Sequence, residues 1–326
     1  MYELTLLETQ KAIKFIKDLF QINLSHALKL HRVTAPIVLE PDTGINDDLS
    51  GVESPVSFIS IKNGLRGEIP HSLAKWKRLA LGKYEVPLHE GVYTDMNAIR
   101  KDESISNIHS IYVDQWDWEL HIKKSERNIE TLKVVVNKIY EIIRFCQQEV
   151  NKKYEWFDGN LLPEQITFIT SEELLKKYPS STAKERENLI AKEFKAVFII
   201  GIGDKLSNGE PHDLRAPDYD DWSLNGDIIV WNPVSNSALE LSSMGIRVDE
   251  NSLLNQLEKA GKSSKRKLDF HKKLLNKEIP YSIGGGIGQS RLCYFLLHKK
   301  HIGEVQTSIW PDEVIEEALE NNITLL

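Results

Sequence analysis

A run of glycines followed by an arginine is the first feature of the sequence that could carry chemistry. Residues 281–293 read YSIGGGIGQSRLC, so that Gly284, Gly285 and Gly286 precede Arg291. Missing side chains let a planar ring or a phosphate chain lie against the backbone, and an arginine at a helix N-terminus is suited to phosphate. The stretch lacks the lysine of a Walker loop and the GxGxxG spacing of a dinucleotide loop. A phosphate-binding loop and a glycine-rich turn with a surface arginine both fit it.

A second arginine stands shortly before a predicted strand. Arg100 lies in AIRKDES, ahead of the segment IHSIYVDQWDW. An arginine between two strands can bind a phosphate, but the same position is also typical of a solvated loop residue.

Two carboxylates fall in a predicted hairpin, DIIVWNPVSNSALELSSM. With the turn at 234–237, Trp231 faces Glu240 and Asp227 faces Met244. Strand alternation then places Asp227 and Glu240 on one otherwise apolar face. Buried carboxylates need compensation, and two forms of it stay open: a magnesium ion shared with substrate phosphates, or buried salt bridges.

The strand YVDQWDWE carries further polar residues among tryptophans. Alternation puts Gln115 and Asp117 on one face with Val113. Buried polar groups need partners, and a ligand with an ammonium group would satisfy an aspartate.

Two more polar segments have ordinary structural explanations. HSLAKWKR contains Ser72, Lys75 and Lys77, which fit a basic helix face. DTGINDDLSG contains Asp47 and Asp48, and its composition is typical of a turn.

These groups must be positioned by a mixture of helices and strands. Periodicity predicts helices at 5–30, 72–81, 125–150, 171–178, 182–195, 251–260, 263–277 and 288–299. Strands are predicted at 55–61, 108–118, 227–233 and 238–248, and in the segments ITFIT and AVFIIGIG. The segment containing Pro36 is predicted to be a strand at the edge of the sheet or at an interface, because proline cannot donate a hydrogen bond within a sheet. The order indicates one α+β domain with a mainly antiparallel β-sheet flanked by helices.

Composition restricts the class of protein. The 326 residues carry a net charge of −7, which argues against a nucleic-acid partner. Cys146 and Cys293 lie in apolar helical patterns and are predicted to be buried thiols rather than zinc ligands. A signal peptide and a run of about 18 apolar residues are both missing, so we expect a cytoplasmic protein that does not enter the membrane.

Three segments together resemble the motifs of class II aminoacyl-tRNA synthetases. RVTAPIVL resembles motif 1, with Pro36 in the strand of the dimer interface. Arg100 with HSIYVDQWDWE resembles motif 2, and GGGIGQSRL with Arg291 resembles motif 3. The resemblance implies the class II synthetase-like antiparallel sheet and a homodimer.

The closer resemblance is to the ammonia-dependent asparagine synthetases, or aspartate–ammonia ligases. INDDLSGVE, HSLAKWKR, YVDQWDWE, RAPDYDDW, LNGDIIVWNP, ELSSMGIRV and GGGIGQSRL all resemble that family's blocks, over nearly the whole chain. We therefore expect residues 1–326 to form a single catalytic domain without a separate anticodon-binding domain. One departure is that Ser223 leads into Leu224 with almost no spacer, where the family has a longer loop.

The resemblance implies ATP-dependent amidation of L-aspartate by ammonia to L-asparagine. The β-carboxylate would form β-aspartyl-AMP and diphosphate, and ammonia would then displace AMP. Glutamine is not expected as the nitrogen donor, because residue 2 is tyrosine and no cysteine lies near the start. The alternatives are a synthetase paralogue that acylates tRNA or another acceptor, and a catalytically dead regulatory paralogue.

The resemblance also assigns nucleotide-binding roles. Arg100 would neutralise the α-phosphate and Arg291 would hold the distal phosphates. Ser110, with Gly284, Gly285 and Gly286, would contact the adenosine. Mg²⁺ would be held by Asp227, Glu240 and Ser243.

The remaining implied roles concern aspartate and ammonia. Asp117 and Gln115 would bind the α-ammonium group. Lys77, with Ser72 and Arg247, would bind a carboxylate. Asp47 would receive ammonium and accept its proton, which makes it catalytic together with Arg100 and Arg291.

Overall fold

The computed structural model describes residues 4–50, 53–154 and 161–326. Its strands are β1 (Leu30–Arg32), β2 (Ser57–Ile59), β3 (Arg66–Glu68), β4 (Gly91–Ile99), β5 (Tyr112–His121), β6 (Thr167–Thr170), β7 (Ala196–Ile200), β8 (Asp220–Asn232), β9 (Ser237–Arg247) and β10 (Ser282–Gly288). Its α-helices are α1 (Leu6–Leu28), α2 (Ala74–Lys83), α3 (Ile129–Lys153), α4 (Ser171–Lys177), α5 (Ala183–Phe194), α6 (Glu250–Lys259), α7 (Asp269–Leu275), α8 (Gln289–Leu296) and α9 (Asp312–Glu320).

The strands form a large central sheet. Eight of the described strands lie in the order β1-β4-β5-β10-β9-β8-β7-β6, and β2 pairs with β3 in a separate hairpin. Pairing is antiparallel except at the two edges, β1 with β4 and β6 with β7. The predicted α+β class with a mainly antiparallel sheet is confirmed.

Two long helices cover one face of the centre of this sheet. Thr5 and Glu8 form a capping box that starts α1, and Asn128 caps α3 through the backbone N–H of Thr131. Phe20 of α1 stacks on Trp116 of β5 with ring centroids 4.5 Å apart. Because side chains alternate along a strand, the neighbours of Trp116 must point to the opposite face, away from α1 and α3.

The register of the β8–β9 hairpin differs from the prediction. Trp231 pairs with Ala238, not with Glu240, and Asp227 pairs with Ser243, not with Met244. The turn begins earlier than predicted, since the side chain of Asn232 accepts the backbone N–H of Val234. A bulge then leaves one residue of β9 without a partner, because Ile229 pairs with Glu240 and Ile228 with Ser242.

The Ser223–Leu224 junction lies inside β8. The strand continues from Asp220 to Asn232, with a register shift between Asp220 and Asn225. The short spacer is therefore accommodated as an irregularity within one strand.

Two other predicted elements are shorter in the structure. The helix predicted at 263–277 is a 3-10 turn at Ser263–Lys267 followed by α7, because Leu268 between them has an extended backbone. The strand predicted around Pro36 does not contain that residue, because the edge strand β1 ends at Arg32 and residues 33–36 have no regular structure.

The expectations for the cysteines hold. Cys146 and Cys293 are buried free thiols, and burial raises the pKa of each to about 12. Within the described residues, no helix is long and apolar enough to cross a membrane.

Candidate functional site

A cavity of about 360 Å³ lies where β5, β9 and β10 meet the loops around them. Most of the residues that the sequence analysis selected line it. They are Asp47, Ser72, Lys77, Arg100, Ser110, Gln115, Asp117, Glu240, Ser243, Arg247, Gly285, Gly286 and Arg291. Gly284 and Asp227 are not among the lining residues; each lies behind the wall, as described below.

The three glycines of β10 are required for different reasons. A Cβ on Gly286 would lie 2.1 Å from Oε1 of Gln115, and a Cβ on Gly285 would lie 2.5 Å from Cβ of Met244. A Cβ on Gly284 would lie 2.0 Å from Oε2 of Glu119. Gly284 therefore makes room for a buried carboxylate, whereas Gly285 and Gly286 let β10 approach its neighbours beside the cavity.

The two arginines approach the cavity from different elements. Arg100 follows β4, and its Nη2 donates to the carbonyl of His71 at 3.4 Å. Its Nε is buried without a hydrogen-bond partner. Arg291 lies in the first turn of α8 and donates from Nη1 to the carbonyl of Glu240 at 3.2 Å. Both guanidinium groups thus keep donors that an anionic ligand can use.

Asp227 and Ser243 form a cross-strand pair next to Glu240. Oδ2 of Asp227 receives a charged hydrogen bond from Arg215, while Oδ1 is buried and has no partner. Burial raises the pKa of Asp227 to about 7, with Arg215 acting in the opposite direction and Glu240 adding to the rise. Glu240 also has an arginine partner, because Nη1 of Arg291 lies 3.6 Å from its Oε2, so Oδ1 of Asp227 is the buried carboxylate oxygen here that lacks a partner.

The oxygen donors at this position suit a hard divalent cation. The described residues contain no group of three or more histidine, cysteine, aspartate or glutamate side chains placed to hold a metal. A magnesium ion is commonly held by one or two carboxylates and completed by substrate phosphates and water. The unpartnered Oδ1 of Asp227, with Glu240 and the hydroxyl of Ser243, fits that pattern.

Lys77 and Asp117 form a fully buried ion pair below β10. Nζ of Lys77 donates to Oδ1 of Asp117 at 2.5 Å and to the carbonyl of Gly285 at 2.9 Å. Oδ2 of Asp117 accepts the backbone N–H of Leu73 at 3.2 Å. Burial lowers the pKa of Lys77, with Asp117 opposing this effect. Lys77 thus neutralises Asp117 in the structure, and one of its three N–H groups remains for a substrate.

Arg247 is held by two buried carboxylates. It binds Glu119 through Nε at 2.9 Å and Nη2 at 2.7 Å, and binds Asp220 through Nη1 at 2.5 Å. Ser282 donates to Glu119 as well. Arg247 reaches the cavity wall with its charge already compensated, so its predicted contact with a substrate carboxylate would use the remaining N–H groups.

Asp47 and Ser72 are in contact where they line the cavity. Ser72 lies just before α2, and its hydroxyl donates to Oδ2 of Asp47 at 2.8 Å. Oδ1 of Asp47 accepts the backbone N–H of Leu49 at 2.9 Å. This side-chain-to-backbone hydrogen bond is typical of the turn that the sequence predicted, and it holds the Asp47 carboxylate at the cavity.

A buried ionic cluster supports this wall from behind. Oδ2 of Asp218 accepts hydrogen bonds from Lys75 at 3.0 Å, Lys265 at 3.1 Å and His271 at 3.0 Å. Lys265 also pairs with Asp48. Lys75 therefore points away from the cavity, and the cluster ties the loop of Asp47 to the residues before Tyr219.

Several lining residues were not selected from the sequence. Arg215 and Tyr219 belong to RAPDYDDW, a block that was identified but given no role. His109 lies beside Arg291, and burial followed by that charge lowers its pKa to about 4, so the imidazole is neutral near pH 7. Gln306 comes from a C-terminal segment in which no motif signalled a site.

Comparisons with known proteins show the family of this chain. A family model described as aspartate-ammonia ligase matches residues 7–322. The chain is 77% identical over 326 residues to the aspartate–ammonia ligase of Malacoplasma penetrans (strain HF-2), covering 100% of both chains. It is 58% identical over 327 residues to the aspartate–ammonia ligase of Mycoplasmoides gallisepticum, again covering 100% of both.

Solved structures confirm the expected fold. Asparaginyl-tRNA synthetase from Pyrococcus horikoshii, complexed with asparaginyl-adenylate, superposes with a TM-score of 0.64 at 16% sequence identity. The match covers 93% of this chain and 70% of that chain. The described sheet is thus similar to that of a class II aminoacyl-tRNA synthetase.

Proposed function

Because this chain belongs to the aspartate–ammonia ligase family, we propose that it converts L-aspartate, ammonia and ATP to L-asparagine, AMP and diphosphate. The observation that carries the proposal is the composition of one cavity wall. Arg100 and Arg291, both with unused donors, line the same cavity as Asp47 and Gln115. Cations for a triphosphate and polar groups for an amino acid thus face a common space.

The chemistry requires that the carboxylate be activated before ammonia attacks. An oxygen of the β-carboxylate attacks the α-phosphorus of ATP, and diphosphate leaves. Ammonia then attacks the acyl carbon of the β-aspartyl-AMP, and AMP leaves with the oxygen that joined it to the acyl group. Each step replaces one bond, and neither needs an oxidant or reductant.

Arg100 and Arg291 supply the charge that adenylation needs. Fixed donors that face the position of developing negative charge stabilise a transition state without reorganisation. We assign Arg100 to the α-phosphate because its Nε is buried and lacks a partner. We assign Arg291 to the distal phosphates, and Gly285 and Gly286 with Ser110 to the adenosine.

Asp227, Glu240 and Ser243 would hold Mg²⁺ against those phosphates. The bound cation would neutralise phosphate charge. Arg215 is already paired with Asp227, so it keeps one oxygen of that carboxylate oriented while the other remains open.

Aspartate would lie between β5 and the start of α2. Gln115 makes no hydrogen bond to another described residue, so its amide is available to the substrate. Asp117 would bind the α-ammonium group with lone pairs that Lys77 and Leu73 do not use. Lys77, Ser72 and Arg247 would contribute donors to a substrate carboxylate.

Asp47 would bind ammonium and accept its proton. Only neutral ammonia has the lone pair that attacks the acyl carbon, so a nearby base is required. The hydrogen bonds from Ser72 and Leu49 hold the Asp47 carboxylate in one orientation.

We further propose a homodimer formed by the segment around Pro36 and the β2–β3 hairpin. Ile37 is 65% exposed and Ile59 is 68% exposed. The side chains of Val38 and Phe58 meet over Gly67, where a Cβ would lie 2.6 Å from each. Exposed apolar residues that adjoin one another are typical of protein interfaces.

The central sheet takes strands from residue 30 to residue 288, which supports a single catalytic domain over residues 1–326. ATP as a co-substrate supports a cytoplasmic location.

The test of the proposed function measures AMP release by the purified protein. With ATP, Mg²⁺ and L-aspartate, AMP and asparagine should form only after ammonium is added, and without tRNA. Glutamine at the same concentration should not replace ammonium. Aspartate-dependent AMP formation that requires tRNA, or no AMP formation at all, would contradict the proposal.

A further inference from the structure

The loop that carries Asp47 contains no helix or strand and packs against a segment far along the chain. This segment is the 3-10 turn at Ser263–Lys267 together with α7, which follows it. The backbone N–H of Phe270 in α7 donates to the carbonyl of Thr43 at 3.2 Å. Ile45 packs against the apolar cluster that contains Phe270. The position of the loop therefore depends on how this segment is held.

Lys265 connects the segment to the loop at the residue next to Asp47. Its ammonium group pairs with the carboxylate of Asp48. The same ammonium group donates to Oδ2 of Asp218 at 3.1 Å. Only 16% of the Lys265 side chain is exposed, and the side chain of Asp218 is fully buried. Lys265 thus bridges two carboxylates, one on the loop and one in the interior.

The same oxygen of Asp218 also holds the helix that begins beside Ser72. Lys75 of α2 donates to Oδ2 of Asp218 at 3.0 Å. Ser72 lies just before this helix and donates to the carboxylate of Asp47 at 2.8 Å. The loop of Asp47 and the hydroxyl group that holds its carboxylate are therefore both anchored to one buried carboxylate.

We propose that Lys265 is a positioning residue for the attack of ammonia, because it ties the loop of Asp47 to Asp218. This inference rests on the proposed function, in which Asp47 binds ammonium and accepts its proton. Lys265 does not line the cavity, so it acts through the loop that it holds rather than by contact with a substrate. Adenylation uses arginines of other elements and should not depend on it.

Lys265→Met tests this role, because it removes the charge and keeps a long apolar side chain. We expect kcat/KM for ammonium to fall roughly 10-fold or more, the scale of one hydrogen bond to a charged group. Aspartate-dependent exchange of labelled diphosphate into ATP should remain within a few-fold of wild type. Lys265→Arg can still bridge the two carboxylates and should restore most of the lost kcat/KM. Loss of exchange in parallel with kcat/KM for ammonium would overturn the inference.

Asp48→Asn tests the other end of the bridge. Lys265 keeps its contact with Asp218 in this variant, so no charge is left unpaired in the interior. The same selective loss of kcat/KM for ammonium is expected. Wild-type kinetics for Asp48→Asn would overturn the inference, and thermal melts check that each variant is folded.

The Asp47→Asn background shows whether Lys265 acts through Asp47. If it does, adding Lys265→Met to Asp47→Asn should cause no further loss of kcat/KM for ammonium. An equal loss in both backgrounds would show that Lys265 acts by another route and would overturn the inference.

Hydrogen exchange measures the position of the loop without any catalytic assay. The backbone N–H of Leu49 is protected by its hydrogen bond to Asp47, so peptides that cover residues 43–50 should exchange faster in Lys265→Met than in wild type. Arg266→Met is the matched control, because Arg266 is the exposed neighbour in the same turn and does not line the cavity. This variant should keep wild-type exchange and kinetics.

Unchanged hydrogen exchange of the loop in Lys265→Met would also overturn the inference. Wild type that forms no asparagine from ammonium would contradict the proposed function, while the hydrogen-exchange comparison would still decide whether Lys265 holds the loop.

Discussion

Ser72 donates a hydrogen bond of 2.8 Å to the same carboxylate, Asp47, that accepts the backbone N–H of Leu49 at 2.9 Å. One oxygen of Asp47 is thus held by a side chain and the other by the backbone. A carboxylate has further lone pairs, so Asp47 can bind ammonium without leaving this position. The hydrogen bond between Ser72 and Asp47 joins the loop before β2 to the residues preceding α2.

Asp47→Asn should separate the two chemical steps. The amide cannot accept a proton, so we expect asparagine formation to fall by roughly 100-fold or more, the usual scale for losing a general base. Aspartate-dependent exchange of labelled diphosphate into ATP should remain within a few-fold of wild type, since adenylation does not involve ammonia. Asp18→Asn is the control, because the side chain of Asp18 is 47% exposed on α1, where it pairs with Lys14, and does not line the cavity. Loss of exchange together with amidation would remove Asp47 from the ammonia step.

Arg100→Ala should impair adenylation itself. Its guanidinium has a buried Nε without a partner, and one transition-state contact of this kind is worth roughly 100-fold or more in turnover. We expect diphosphate exchange and asparagine formation to fall together. Lys101→Ala is the matched control, since Lys101 is exposed and pairs with Asp102. A near-wild-type rate for Arg100→Ala would exclude Arg100 from the site.

Asp227 should make folding stability depend on pH in the absence of Mg²⁺ and nucleotide. Burial raises its pKa from 3.8 to about 7 in the folded protein. Between these pH values the folded state binds more protons than the unfolded state. The stabilising contribution of Asp227 to the free energy of unfolding is therefore complete below pH 3.8 and is lost as the pH rises to about 7. The slope from one group is at most about 1.4 kcal/mol per pH unit.

Urea unfolding of wild type and Asp227→Asn between pH 4.5 and pH 7 measures this effect. The variant keeps the size of the side chain and does not titrate, so the difference in the free energy of unfolding between the two proteins should change with pH in the stated direction. Parallel curves for the two proteins would show that Asp227 is ionised throughout.

The proposed dimer should depend on the apolar surface around Pro36. Ile59→Glu places a charge on an exposed position of β2, which a packed interface cannot accommodate without a large cost. We expect wild type to sediment as a dimer at micromolar concentration and this variant as a monomer. Ile309→Glu is the control, because Ile309 is equally exposed but far along the chain. A monomeric wild type would contradict the proposal.

Strand alternation was sufficient to predict part of the site. Successive side chains of a strand point to opposite faces of the sheet. Trp116 packs against α1 on one face, so its neighbours Gln115 and Asp117 point to the other face, where the cavity lies. Residue type alone left the glycine run and the two arginines open between a phosphate site and ordinary turn or loop residues, and the resemblance to the family selected the first reading. Each of these features is local in the sequence.

Long-range pairings could not be predicted in the same way. The bulge in β9 places Ser243 beside Asp227, and no composition signal marks it. Asp218 gathers Lys75, Lys265 and His271 from distant segments, although every one of these residues alone resembles a surface residue. Such contacts depend on how the sheet is assembled.

The central claim is that the β-carboxylate of aspartate becomes bonded to the α-phosphorus of ATP in this cavity. It is tested by a reaction with aspartate labelled with ¹⁸O in both oxygens of the β-carboxylate, followed by mass spectrometry of the products. The account predicts that each AMP carries one ¹⁸O atom and that diphosphate carries none. Unlabelled AMP, or label recovered in a phosphate released together with ADP, would contradict it.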